Sequence, residues 1–273
     1  MTALRLADAG EAADLAAFLA RLIHYDRAAA VRLQTGGGVL AVFGRPPSFE
    51  VLAIRTARLA PAASPGPQTA TAAHGPRTGT GAALAAGLDR TVSAGDLLEG
   101  IDESTNSLTL PAAVTGPPWA GVLPPRGGWQ QIPGLPSPQA LGRTVALAVA
   151  EFRARDEALP PERRTRAERD RIGREIWSRT LGDTHLPLRA AHAAQSLGFL
   201  RPVRAEAQAG VYGPAGGGHG SVSGSGSAGS GAALAEPPTL TLLAAGGWLR
   251  LRTPYGSVAV RTGGPSALPV TPA

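Results

Sequence analysis

Behind Asp8 and Glu11, which stand in capping-box spacing, Leu15, Phe18, Leu19, Leu22 and Ile23 fall at i, i+3, i+4, i+7 and i+8. That pattern predicts one amphipathic helix. The period then shortens. Val31 to Gln34, Val39 to Phe43 and Glu50 to Arg58 are runs divided by Thr35-Gly-Gly-Gly38 and Gly44-Arg-Pro-Pro-Ser48, which predicts an antiparallel meander beside the helix. From Pro61 to about Gly87 large apolar residues almost vanish, so this stretch cannot bury enough surface to offset its ordering entropy.

Order is expected again at Arg90 to Val92. Ser93 would cap a short helix through Leu98, and a strand at Ser107 to Leu110 would rejoin the first sheet. The segment Gly116 to Trp129 is too rich in Pro and Gly for regular structure. Ser137-Pro138 then opens a helix in cap and N1 order, with Leu141, Val145, Ala148, Val149 and Phe152 on one face, ending before Pro160-Pro161. A second helix is predicted from Glu162 to Arg179. A third, Leu186 to Leu197, buries Leu186, Ala190, Ala193, Ala194 and Leu197, turns Arg189, His192 and Ser196 outward and closes on Gly198. Beyond a Gly/Ser-rich stretch, strands are predicted at Thr239 to Leu243, Trp248 to Arg252 and Ser257 to Arg261, the last two joined by a turn at Pro254-Tyr-Gly256.

The fold class expected is α+β with two disordered insertions. A helix plus antiparallel meander occupies 1–60, and a low-complexity insertion 61–89. A short helix, strand and Pro/Trp loop over 90–135 joins the N-terminal unit. A three-helix unit spans 136–203, a Gly/Ser-rich insertion 204–237, a β-hairpin 238–262 and a tail 263–273.

Composition narrows the chemistry. All 26 basic residues are arginine, a bias of GC-rich coding, so a net charge of only +6 reads out as a pI near 11.0. With 43% apolar residues but only 5 Phe, 4 Trp and 3 Tyr, the core should be Leu, Val and Ala with a few aromatic plugs. The absence of cysteine excludes disulfides, thiol catalysis and cysteine-bound metal centres. No apolar stretch is long enough to span a membrane and Met1 to Glu11 has no signal-like core, so a cytoplasmic location without membrane contact is expected.

Catalytic and cofactor fingerprints are missing. There is no G-x-S-x-G, no H-E-x-x-H and no phosphate loop, and Gly79-Thr-Gly81 has Leu84 where a dinucleotide motif needs its third glycine. No cofactor, metal ligand or catalytic residue is assigned. Of the five histidines, His24, His74, His185, His192 and His219, two lie in the low-complexity stretches, where no rigid metal site can be built. His24-Tyr25-Asp26, near the Gly37-rich turn, is the only hint of a general base and reads more simply as a cation at a helix C-terminus. Asp156, Glu157 and Glu162 read as exposed charges at a helix junction. In the Arg-rich run Glu162 to Glu175, Glu162/Arg166, Arg164/Glu168, Arg166/Asp170 and Arg171/Glu175 stand at i,i+4 and would neutralise much of its charge.

Three helices followed by an Arg-bearing hairpin resemble a winged helix-turn-helix, with Leu188 to Phe199 similar to a recognition helix. The turn before the third helix is longer than that class uses, and a long insertion separates helix from hairpin. The resemblance implies nucleic-acid binding through Arg189, His192, Arg250, Arg252 and Arg261. Trp119, Arg126 and Trp129 in the Pro/Gly loop form the alternative, an aromatic and cationic platform for a protein partner, or else lids over the core. An enzyme with an unfamiliar site is the third reading. Phe43 to Glu50 and Leu123 to Trp129 also resemble stretches of uncharacterised conserved proteins of GC-rich bacteria, which carries no residue role.

Overall fold

The computed structural model describes residues 3–61, 87–201 and 240–262. The Gly/Ser-rich insertion, the tail and nearly all of the first insertion lie outside the described residues. A strand that the periodicity did not reveal, β1 (Ala3–Arg5), precedes helix α1 (Ala9–Tyr25). The helix begins where its capping signal places it, with Asp8 Oδ1 accepting from the Glu11 N–H at 2.9 Å, and it buries Ala12, Leu15, Phe18, Leu19 and Leu22. The meander follows as β2 (Ala30–Gly36), β3 (Val39–Gly44) and β4 (Leu52–Arg58), each antiparallel to the next.

Leu88 bonds Thr35 through both its N–H and its carbonyl. β5 (Asp89–Ser93) adds to the outer edge of β2, and Ser93 Oγ caps α2 (Ala94–Glu99) by accepting from the Asp96 N–H. Two short strands come next, β6 (Ile101–Asp102) and β7 (Ser107–Thr109). The strand near Ser107 does not rejoin the meander. It pairs with β1 and β6 in a separate three-stranded sheet, where Leu4 and Leu108 lie in register and are both buried. Both edges of the meander are already occupied, by β5 on one side and by a C-terminal strand on the other.

The C-terminal half contributes β8 (Gln130–Ile132), α3 (Pro138–Glu157), α4 (Arg166–Trp177), α5 (Leu188–Ser196), β9 (Thr241–Ala245), β10 (Trp248–Thr253) and β11 (Gly256–Arg261). α3 is capped by Ser137 as its sequence predicts. α4 starts later than expected. Thr165 Oγ1 accepts from the Glu168 N–H, and Pro161–Arg163 form a separate 3-10 turn. Of the anticipated helical pairs, Arg166–Asp170 and Arg171–Glu175 form at 3.8 and 3.9 Å, whereas Arg164 donates to the carbonyls of Leu159 and Glu157. Other pairs cross between the helices: Arg155–Glu175 at 2.7 Å, Arg169–Asp156 at 2.7 Å and Arg179–Glu151 at 2.5 Å.

The C-terminal strands are not a free hairpin. β10 is bonded by β9 and β11, and β11 pairs in turn with β4, giving one eight-stranded antiparallel sheet in the order β5-β2-β3-β4-β11-β10-β9-β8. The projecting wing of a winged helix-turn-helix is therefore replaced by two interior strands. The two halves share one core on one face of the sheet, where α1 and α5 pack; the rings of Phe18 and Phe199 stack across it at 5.6 Å. Gly256 lets the β10–β11 turn approach Phe199, because a Cβ there would stand 2.6 Å from its ring.

Arg55 fixes the junction. Although in the middle of β4, it lies on the helix side and is only 6% exposed. Its Nη2 donates to Glu11 at 2.9 Å and Asp14 at 3.3 Å, and its Nη1 donates to the Tyr255 carbonyl at 3.0 Å. Asp14 also pairs with Arg201, whose guanidinium lies 3.8 Å over the Tyr255 ring. Truncating Arg55 leaves Glu11 and Asp14 without their buried partner and removes one donor to the Tyr255 carbonyl. Arg55→Ala should lower the free energy of unfolding by about 3 kcal/mol in urea titrations. A loss below about 1 kcal/mol would show that the network is peripheral to the join.

Candidate binding groove

The opposite face of the sheet is roofed by the Pro/Trp loop. Alternation along the strands places Ala41 and Phe43 of β3, Leu52 and Ile54 of β4, Ala259 of β11 and Trp248 of β10 on this face, where they cluster with Trp119, Leu123 and Trp129 from the loop. Arg32 on β2 ties the loop down. Its Nε and Nη2 donate to the two Asp89 oxygens at 2.8 and 3.0 Å, and its Nη1 donates to the Ala120 carbonyl at 2.6 Å. The Arg32 hydrogen bonds hold the Asp89 carboxyl below its ordinary pKa and raise that of Arg32. A 3-10 turn at Pro118–Gly121 buries Ala120 and leaves Trp119 half-buried, and Trp129 Nε1 donates to the Pro125 carbonyl at 3.0 Å.

One margin of this roof opens into a groove. A cavity of approximately 480 Å³ is lined by Arg45, Glu50, Trp119, Val122, Arg189, Trp248 and Arg261, among others. A second, of approximately 490 Å³, lies along Asp26 to Ala30 and Val114 to Pro117. Arg45 and Trp119 line both, so the two are successive compartments of one depression. The loop from Arg45 to Glu50 is held in place by Phe49, which is buried, and its turn puts Ser48 at φ 71° and Glu50 at φ 53°. Two non-glycine residues in the left-handed region cost on the order of 1 kcal/mol each, a strain found where a turn must aim particular side chains.

Few groove cations are neutralised from within. Arg189 Nε is buried without a hydrogen-bond acceptor, and its nearest carboxylate, Glu50, is 3.8 Å away and 72% exposed. Arg261 lies over the Trp248 ring at 5.8 Å, and neither it nor Arg45 forms an ion pair among the described residues. Asp26 is engaged locally, since its Oδ1 accepts from the Ala28 N–H at 2.9 Å. The arrangement can therefore hold anionic groups beside indole surface.

Residues assigned to separate hypotheses on sequence meet here. Arg189 and Arg261 come from the nucleic-acid set, Trp119 from the protein-binding set. Arg250, Arg126 and Trp129 gather elsewhere, at the far margin of the loop, with Arg250 5.7 Å from the Trp129 ring. Arg252 is exposed on the loop-side face of β10. His192 lies on the outer side of α5 but is half-buried there, since it stacks on Trp177 at 4.3 Å and meets the edge of Phe49 at 5.2 Å. His24 is exposed, Tyr25 turns toward Phe49 and Asp26 faces the groove, so that triplet does not converge on one cavity. Sequence reasoning missed Arg45 and Trp248. The Arg45-Pro-Pro-Ser48 turn was a signal for the first, and alternation with Arg250 and Arg252 for the second.

The fold and groove define an α+β protein with a basic, aromatic depression roofed by its own proline-rich loop. Residues 124–265, more than half of the chain, match the model of a domain of unknown function, DUF8185, and the chain belongs to that family. Residues 1–121 match a second such domain, DUF8010, so the boundary falls within the Pro/Trp loop. Comparison with curated proteins and with solved structures returned no match. Among the described residues no helix is long and apolar enough to cross a membrane, and no cluster of three or more His, Asp or Glu side chains is placed to hold a metal ion.

Burial lowers the pKa of His192. The unfolded chain then binds the proton more readily than the folded one, so the stabilisation from neutral His192 is complete above the unfolded pKa of about 6.5 and is lost as pH falls below it. The melting temperature should drop between about pH 7.5 and 5.5, and His192→Phe should flatten that dependence. An unchanged profile in the variant would remove His192 from the account.

Proposed function

We propose that the protein is a binding module for single-stranded nucleic acid, with the groove around Trp119 as its contact surface. The observation that carries this reading is the convergence of Arg45, Arg189 and Arg261 on two indoles, with the Arg189 Nε–H left without an acceptor. Binding of single strands combines phosphate neutralisation by arginine with stacking of bases on aromatic rings. The two compartments sharing Arg45 and Trp119 suit an extended chain rather than a compact ligand. A duplex-reading wing receives no support from a hairpin embedded in the sheet.

A protein partner is favoured by a different feature: Val122 and Val114, 47% and 42% exposed, flank Trp119 in the two compartments. An extended acidic peptide is then the occupant.

Fluorescence anisotropy with labelled oligothymidylate, random duplex and an oligoglutamate peptide, over about 50 to 200 mM salt, separates these readings. The oligothymidylate should bind most tightly. Arg189→Ala and Arg261→Ala should each flatten the log–log salt slope by about 0.7, and Trp119→Ala should weaken binding about tenfold with the slope retained. No oligonucleotide binding at the lowest salt overturns the proposal, and binding of the peptide alone transfers the groove to a protein partner.

A further inference from the structure

The far margin of the Pro/Trp loop holds a second cavity of different chemistry. It measures approximately 260 Å³ and is walled by Val39, Ala41, Phe43, Ile54, Pro124 and Pro125. Its polar groups are Gln34, Thr35, Thr56, Arg126 and Arg250; among the described residues no carboxylate lines it. Arg250 donates its Nε–H to Ser257 Oγ at 2.8 Å, and its terminal guanidinium nitrogens have no acceptor among the described residues. Arg126 forms no hydrogen bond or ion pair among the described residues and is exposed at the rim.

An arginine this enclosed is ordinarily matched by a carboxylate, because desolvating an unpaired cation is costly. Burial and the neighbouring Arg252 do lower the pKa of Arg250, yet a guanidinium stays charged throughout the physiological range. Elsewhere in the chain the partly buried guanidiniums of Arg32 and Arg55 are satisfied by carboxylates. Arg250 has no carboxylate in ion-pair range among the described residues; its guanidinium lies 5.7 Å from the Trp129 ring, in a cavity whose remaining surface is mostly apolar.

We infer that this cavity is a binding site for a small carboxylic acid with a compact apolar body, its carboxylate held by Arg250 and Arg126 and its body resting on Phe43, Ile54 and Pro124. The fork of donors on a guanidinium matches a carboxylate in two parallel hydrogen bonds. The volume lies just under the range of about 300 to 1,000 Å³ typical of drug-sized ligands, which selects an acid the size of benzoate or hexanoate. Inorganic phosphate offers the charge without anything to fill the apolar walls. Benzamide offers the body without the charge. The site is separate from the groove around Trp119, and its occupancy does not depend on what that groove binds.

Isothermal titration calorimetry of the full chain at constant ionic strength tests this directly, with benzoate, hexanoate, benzamide and inorganic phosphate as probes. Benzoate and hexanoate should bind saturably with Kd on the order of 1 mM or tighter, and benzamide and phosphate should not. Arg126→Ala, a rim substitution that leaves the core untouched, and Arg250→Gln should each weaken benzoate binding at least tenfold. Arg153→Ala removes an exposed helical arginine outside the cavity and should leave binding unchanged. Absence of saturable benzoate binding, equal binding of benzamide or phosphate, or equal losses in all three variants would overturn the assignment. Circular dichroism of Arg250→Gln checks its folding, and the Arg126 variant carries the test if that protein does not fold.

Discussion

The ladder between β4 and β11 is the interaction on which the rest of the molecule depends. Ile54, Ala53 and Leu52 stand opposite Ser257, Val258 and Ala259, and those few residues turn two four-stranded half-sheets into one. Each half alone would present an unpaired strand edge and a half-covered apolar face. Joined, they give α1 and α5 a common floor, which is why Phe18 and Phe199, 181 positions apart in the chain of 273, stack on each other. Arg55 secures the same seam by charge, reaching from β4 to two carboxylates on α1 and to the backbone of the β10–β11 turn. The matches to two different domains meet at residues 121 and 124, yet hydrogen bonding, core and ion pairs all cross that boundary.

The two faces of the sheet are covered by different means. Amphipathic helices close one face, so its strands carry Val31, Leu33, Leu40, Val42, Leu249, Leu251, Val258 and Val260 inward. The other receives only an irregular loop, whose prolines and glycines cannot form a ladder or a helix and which therefore needs anchors. Arg32 supplies one at the Ala120 carbonyl and buried Pro124 another. A loop fastened at points rather than along a seam leaves openings at its margins. Both arginine-lined cavities lie there, so their placement follows from the way this face is roofed.

Local signals in the sequence were enough for the longer elements, though not for the short strands β1, β6 and β8. Asp8, Ser93 and Ser137 mark their helices, and the meander and terminal strands fall within a few residues of their expected bounds. The start of α4 was misplaced because charged residues before Thr165 continue a helical pattern that the cap interrupts. Partner choice was not legible. Nothing local in Leu52 to Arg58 states that its second neighbour comes some 200 residues later, although Arg55 on the Ala53 and Ala57 side of the strand was a sign that a charge awaited partners inside. His192 was placed outward because the helical wheel of α5 has an apolar side; it does lie opposite that side, but Trp177 and Phe49, which come from elsewhere in the chain, half-cover it. Half the candidate groove was visible, as Trp119, Arg189 and Arg261, but in two competing hypotheses, since only the fold shows that they share a space.

The absence of lysine bears on where function can reside. Coding bias accounts for the choice of arginine, but the structure uses what a guanidinium alone offers: Arg55 serves three acceptors at once, and Arg32 holds a bidentate carboxylate together with a backbone carbonyl. An ammonium has its donors on a single atom and could not span acceptors so far apart or meet a carboxylate with two parallel hydrogen bonds. Once such engaged arginines are set aside, along with those laddered between α3 and α4, exposed arginines such as Arg5, Arg27, Arg143, Arg153, Arg174 and Arg252 remain scattered over the surface, and five others gather at the margins of the loop. Arg45, Arg189 and Arg261 line one margin of the loop and Arg126 and Arg250 the other. A high pI says little about partners in a chain of this composition. The gathering of arginines beside indole and apolar surface at the two margins of the loop says considerably more.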